Sequence, residues 1–288
     1  MSIKLSDVNY TYMKDTPFEK TGIKNINLEI SEGEFVAIIG HTGSGKSTLV
    51  QHLKGLLTPD SGTVIIDDVN INQNTVSAKT AKNKVGIVFQ YPEQQLFEET
   101  VYKDVTFGPK NMGMPEEKLE NIAKQSLEFV SLDYEKYKNR SPFQLSGGQM
   151  RKVAIAGVIA LKPKYLILDE PAAGLDPVGR DDLFEKISKL YQKTGMTVIL
   201  ISHNMDDVAR LAQRLIVMNN GEISIDDKPE KVFKYKEKLV AAGLALPQIT
   251  ELLSKLKQQG LAVEENIIKL DDAIVNIKTA WGVKNNAK

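Results

Sequence analysis

The chain has no cysteine in 288 residues. Disulfides, thiol nucleophiles and zinc–thiolate sites are therefore excluded, and a reducing cytosol is the natural setting. It also has no excess charge of either sign, since 37 Lys+Arg offset 37 Asp+Glu. That balance argues against broad attachment to nucleic acid or to an anionic membrane surface. No stretch approaches the roughly 20 apolar residues that a membrane-spanning helix requires. Runs such as Thr197–Ile201 are short and bounded by polar residues, and Met1–Asp7 lacks the long apolar segment of a signal peptide. A chain soluble by itself is expected, serving a membrane only by docking on something else. Internal repeats and low-complexity tracts are absent as well, and the length suits one large domain with a smaller one.

What is present centres on Gly40-His-Thr-Gly-Ser-Gly-Lys-Ser47, directly after the apolar run Phe35–Ile39. Glycines at this spacing let backbone N–H groups converge on phosphate oxygens where a Cβ would block the approach. Lys46 supplies a point charge toward the β- and γ-phosphates, and Ser47 offers a hydroxyl to magnesium. Ser47–Leu53 is expected to start a helix whose N-terminus favours anions.

Short strands are expected over 3–12, 26–30 and 35–39, the first two alternating as in an antiparallel layer and the third apolar throughout as in a buried central strand. Strands at 63–66 and 85–89 follow. From Tyr91 to about Pro163 the character is helical, with helices over 115–130, Pro115 in the first turn, and over 149–161. The α/β pattern resumes with a strand at 165–168, a helix over about 178–193, a strand at 197–201 and a hairpin around Asn219-Asn220-Gly221. Beyond Pro229 the reading is helical, with Ile249, Leu252, Leu253 and Leu256 on one amphipathic segment and 271–281 on another.

Asp169 and Glu170 close the apolar strand 165–168. In a phosphate-loop fold an Asp there can hold magnesium through water, and the adjacent Glu can polarise the water that attacks the γ-phosphate. Leu145-Ser146-Gly147-Gly148-Gln149, just before a helix, is a second candidate anion site.

Those motifs, in this order, resemble the ATP-binding cassette (ABC) ATPases, over residues 1–228. The resemblance implies an α/β P-loop NTPase fold: an ABC nucleotide-binding domain with an antiparallel β subdomain, an inserted helical subdomain at about 91–163 and a small C-terminal helical appendage at 229–288. It implies that Gly40, Thr42, Gly43, Ser44, Gly45, Lys46, Ser47 and Thr48 bind ATP, and that Ser47, Gln90 and Asp169 serve Mg2+. Glu170, His203 and Gln90 take catalytic places, His203 as the switch histidine and Gln90 as the Q-loop glutamine. Asp176, in Gly174-Leu175-Asp176, looks like the D-loop residue. Tyr12 is placed to stack on adenine, whereas Tyr10, two residues away, is expected to point to the other face of the strand. Two such domains pair head to tail in that family, so Ser146, Gly147, Gly148 and Gln149 would contact ATP on the partner.

A narrower resemblance lies in Phe89–Val101 and Asp104–Asn111, which look like the sequence after the Q-loop in energy-coupling factor (ECF) transporter ATPases. The run Pro92–Phe97 is more like the second of the two paralogous ATPases. This implies a heterodimer with a paralogous ATPase at the cytoplasmic side of the membrane, a transmembrane coupling subunit docked near Glu93, Leu96 and Phe97, and substrate-binding membrane subunits selecting vitamins or other micronutrients. Nucleic acid is not an expected partner. The alternatives are a homodimeric ATPase of a dedicated cobalt or nickel importer and a non-transport ABC ATPase. The second is disfavoured by the single cassette and by only about 100 residues without heptads between the phosphate loop and Ser146.

Overall fold

The computed structural model describes residues 1–286. Ten strands occur among them: β1 (Ser2–Tyr12), β2 (Lys20–Ser31), β3 (Phe35–Ile39), β4 (Ser61–Ile66), β5 (Val69–Asn70), β6 (Val85–Val88), β7 (Tyr165–Asp169), β8 (Thr197–Ile201), β9 (Arg214–Asn219) and β10 (Glu222–Asp227). The alternating strands form an antiparallel sheet of order β2-β1-β4-β5, and the continuously apolar ones a six-stranded sheet of order β10-β9-β3-β8-β7-β6. In the second sheet β6, β7, β8, β3 and β9 run parallel and β10 is an antiparallel edge.

All five residues of β3 are buried because both faces of its sheet are covered. Val36 and Ile38 pack with Ile3, Leu5 and Leu49, toward the antiparallel sheet and helix α1 (Lys46–Lys54). Ala37 and Ile39 face Val208, Val217 and Phe233 on the other side. Asn220 and Gly221 close the β9–β10 hairpin with positive φ of 49° and 81°, the two-residue turn that Asn-Gly favours. Two short helices that sequence periodicity did not mark off are α2 (Val76–Asn83) and, later in the chain, a seven-residue helix at Met205–Leu211. Elements of two turns leave too little pattern to read.

The helical segment holds α3 (Val101–Asn111), α4 (Glu116–Phe129), α5 (Tyr134–Tyr137) and α6 (Gly147–Ala160). Two expectations shift here. Pro115 stands outside α4 as its cap rather than in its first turn. Helix α6 begins at Gly147 rather than Gln149, because the Ser146 hydroxyl accepts from the Gln149 amide while the Gln149 side chain accepts from the Ser146 amide. That reciprocal cap lets two glycines start a helix.

After α7 (Pro177–Thr194) and the helix α8 (Met205–Leu211) come α9 (Pro229–Val232), α10 (Lys236–Ala241), α11 (Gln248–Gln258) and α12 (Leu270–Asn286). Val232, Phe233, Leu239 and Leu244 join the main core against β3 and β9. A separate small core of Leu253, Leu261, Val263, Ala273 and Ala280 unites α11 and α12.

Candidate nucleotide site

Three short segments end at one edge of the parallel sheet: the loop after β3, the turn after β7 and the turn after β8. The first, 40–45, is shaped by backbone approach. A Cβ on Gly40 would run into Ser44 Oγ and the Met218 carbonyl, and one on Gly45, at φ 103°, would lie 2.7 Å from the Gly22 carbonyl oxygen. The β9–β10 turn braces the loop, the Gly221 amide donating to the Ser44 carbonyl at 3.0 Å. Gly45 is the N-cap of α1 and brings no side chain to satisfy the first-turn amides, which leaves them as donors for an anion. Lys46 is buried, and its Nζ donates to the carbonyl oxygens of Gly40 at 2.7 Å and His41 at 3.0 Å. Burial lowers its pKa, while the Glu170 and Asp169 carboxylates act against that.

A cavity of about 270 Å³ opens beside the loop, with Tyr12, Lys20, Thr21 and Gly22 on one wall and Gly43 and Gly45–Thr48 on the other. The Tyr12 hydroxyl and Thr48 Oγ1 are 3.0 Å apart. Tyr10 does not face away from Tyr12, contrary to expectation. Their rings meet edge to face at 4.9 Å, because residues two apart on a strand share a face. Depth distinguishes them: Tyr10 packs on the buried His52 ring at 5.0 Å, while Tyr12 reaches the cavity. Beside Tyr12, the wall residues Lys20 and Thr21 were missed in the sequence, since they come opposite Tyr12 and Thr11 only through strand pairing. Gly22 carries the one signal, as a Cβ there would sit 2.9 Å from the Tyr12 ring.

Asp169 ends β7, and Glu170 follows in the left-handed region at φ 49°, its amide donating to the Ile201 carbonyl at 3.0 Å. Backbone strain in a non-glycine residue is held here by the surrounding sheet. Glu170 Oε1 is buried without a hydrogen-bond partner, 3.4 Å from His203 Nε2. Burial, helped by the Asp169 charge, pushes the Glu170 carboxyl up to about 7 against the pull of the His203 backbone amide and of Lys46. Burial also raises the Asp169 pKa, with Lys46 opposing, and burial followed by the Lys46 charge lowers that of His203. A neutral imidazole thus stands beside a carboxyl poised to take a proton.

The cradle a Cβ would fill, the free amides of α1 and Lys46 fit a polyphosphate. Ser47, Gln90 and Asp169 offer only oxygen donors of the hard kind magnesium takes, with few carboxylates, as where phosphates complete the shell.

Other expected residues lie elsewhere. Ser146 and Gly147 are exposed, and none of 146–149 lines the cavity. Asp176 caps α7, accepting from the Gly179 amide at 2.6 Å. Leu96 is buried and Phe97 exposed, its ring edge-on to Phe107 at 4.7 Å, in a groove of about 150 Å³ that also includes Asp104, Val153 and Ala154. Glu93 does not line that groove. It turns inward to the Arg151 guanidinium, 3.3 Å away, and Asp104 is the acid of the groove instead. Asp104 accepts from the Phe97 and Glu98 amides, and burial raises its pKa against those bonds.

The family described as ABC transporter matches residues 23–173. The energy-coupling factor transporter ATP-binding protein EcfA2 of Clostridium perfringens is 56% identical over 273 residues, covering 95% of this chain and 96% of that protein. The protein of the same description from Clostridium tetani is 53% identical, covering 95% of each. Among solved structures, cbiO1 from Clostridium perfringens, part of the ABC transporter complex cbiONQ, superposes with a TM-score of 0.72 at 37% identity over 88% of this chain and 98% of that one. A dimeric ATP-binding cassette in a post-hydrolysis state, bound to ADP and Pi, gives a TM-score of 0.72 at 32% identity over 79% of this chain and 98% of that one.

Proposed function

This chain belongs to the ABC transporter family as an ATP-hydrolysing subunit of the energy-coupling factor type, and from that premise we propose how its residues divide the work of an importer. One observation carries the reading: the phosphate cradle and the Ser146–Gln149 segment are separate surfaces of one chain, the first concave and the second led by exposed Ser146 and Gly147. A complete ATP site therefore needs two chains head to tail, each contributing a cradle to one nucleotide and a 146–149-type loop to the other. The partner is a paralogous ATPase, as the EcfA2 description of the relatives supports.

Within its own site the chain binds ATP phosphates through the α1 amides and Lys46, with the base against Tyr12. Ser47, Gln90 and Asp169 would hold magnesium, which when bound would offset the negative charge of the phosphates. Glu170, its carboxyl high in pKa, accepts the proton of the attacking water, and neutral His203 holds the γ-phosphate side. Loss of the γ-phosphate link opens the dimer. The groove of Leu96, Phe97, Asp104 and Phe107 receives a helix of the transmembrane coupling subunit. Among the described residues no helix is long and apolar enough to cross a membrane. As a subunit of a membrane transporter, in keeping with the description of its relatives, the chain works docked at the cytoplasmic face. The imported vitamin or other micronutrient is chosen by separate membrane subunits.

Glu170→Gln tests the central role. In the assembled complex it should retain ATP binding and accumulate a closed dimer, with turnover lowered about 10²- to 10⁴-fold as for loss of a general base. Undiminished hydrolysis would refute the assignment. Affinity purification should recover a second, distinct ATPase; recovery of this chain alone would point to a homodimer.

A further inference from the structure

One buried charge lies outside the machinery above. Arg151 sits on α6, one turn past the exposed Ser146, and is 5% exposed. Its Nε donates to Glu93 Oε2 at 3.3 Å, and its Nη2 donates to the Gln90 carbonyl oxygen at 3.3 Å and to Glu93 at 3.3 and 3.5 Å. Nη1 is buried and has no partner. It lies 3.7 Å from where a Cβ on Gly174 would be, and Leu175 reaches to 3.9 Å of the matching position on Gly148. The guanidinium therefore adjoins 90–93 and Gly174, and the next residue of that turn, Leu175, lies beside Gly148 at the start of α6.

Its bonds are long, since charge-assisted N–H···O contacts normally close to about 2.7–2.9 Å. A buried cation with loose bonds and an orphan donor is an expensive way to fill space, and an apolar side chain of like volume would avoid the desolvation. An unsatisfied buried group calls for an explanation, and a second arrangement in which Nη1 is satisfied supplies one.

We infer that Arg151 is a positioning residue that links segment 90–93 to the 146–149 loop and the 174–176 turn, its Nη1 taking a carbonyl oxygen of that turn when the two ATPase chains close. The inference rests on the ATPase reading above. Gln90 attends the ATP on this chain's cradle, whereas Ser146 attends the ATP on the partner's, so Arg151 lets one site report to the other. Lysine cannot replace it, because a single ammonium does not reach three places as a planar fork does.

The test uses the full transporter complex carrying Arg151→Lys, which keeps charge and most of the bulk, beside Arg151→Met. ATP affinity at this chain's cradle, kcat, melting temperature and amide exchange of 40–47 and 172–178 are measured with and without ATP. For Arg151→Lys we expect affinity within about twofold of the unmutated complex and kcat down by about tenfold or more, the split expected when an interaction made only in the working state is lost. ATP-dependent protection should persist at 40–47 and vanish at 172–178. An Arg151→Lys complex with unmutated kcat and protection at both segments would overturn the proposal, whether or not Arg151→Met folds. Absence of ATP-dependent protection at 40–47 in the unmutated complex would overturn the ATPase reading instead.

Discussion

The segments 40–47 and 146–149 both carry glycines and both open a helix, yet they are built in opposite ways. The first has no side-chain cap, so its amides stay open, and it is enclosed by the Tyr12 wall, the Gly221 turn and a buried lysine. The second is capped by its own Ser146 and Gln149, and Ser146 and Gly147 stand in solvent. An open helix start inside a cavity is a receptor for phosphate. A capped helix start on the surface is a rigid projection that becomes a site only against another molecule. The chain thus carries two unlike halves of an ATP site and completes neither alone.

Of the ways to break this contrast, the largest effect is expected on ATP binding, from removing the charge of the enclosed half. Lys46→Ala should weaken ATP at this chain's own cradle roughly 10- to 100-fold, since hydrogen bonds to a charged group are worth about 1.5–3 kcal/mol. It should leave the site built on the partner's cradle occupied, as read with a fluorescent ATP analogue in the heterodimer. Equal loss at both sites would break the contrast between the halves.

A smaller effect is expected from the exposed half. Ser146→Ala should impair hydrolysis of the ATP on the partner's cradle while removing a helix cap, a loss of about 1 kcal/mol in stability. Ser146→Asp keeps a cap and separates the two contributions: it should restore the melting temperature without restoring hydrolysis. Recovery of both would reduce the loop to a helix cap.

The smallest effect is on stability and sharpens the contrast from the enclosed side. Because the folded Glu170 pKa is raised from 4.5 to about 7, the folded chain holds a proton that the unfolded chain releases. That contribution is full below 4.5 and is lost as pH rises through about 7. Thermal melts of the nucleotide-free, magnesium-free chain should therefore show Glu170→Gln gaining on the unmutated protein as pH rises over this range. A constant difference would mean that the Glu170 carboxyl is not strained by burial.

These features were unequally legible. The 40–47 loop, Asp169-Glu170 and the Asn-Gly hairpin could be read directly, because each depends on short-range backbone geometry encoded within a few residues. The face of Tyr10 was misjudged through its own strand's period, which places it with Tyr12. Bulges after Leu5 then carry the inward positions from Ile3 and Leu5 to Val8. Glu93 was read as a groove acid because nothing near it in sequence announces Arg151, 58 residues later.

By itself the sequence determined the chemistry available: oxygen and amide donors without thiols, one phosphate cradle, one acid pair and one Ser-Gly-Gly helix start, each local enough to be specified by its own neighbours. Only the tertiary structure decided which of them face one another. Strand pairing set Lys20 against Tyr12, sheet order brought Glu170 to His203, and the helical segment turned Glu93 onto Arg151. Such pairings depend on buried area and register summed over the whole fold, a non-local quantity that no short stretch of residues contains.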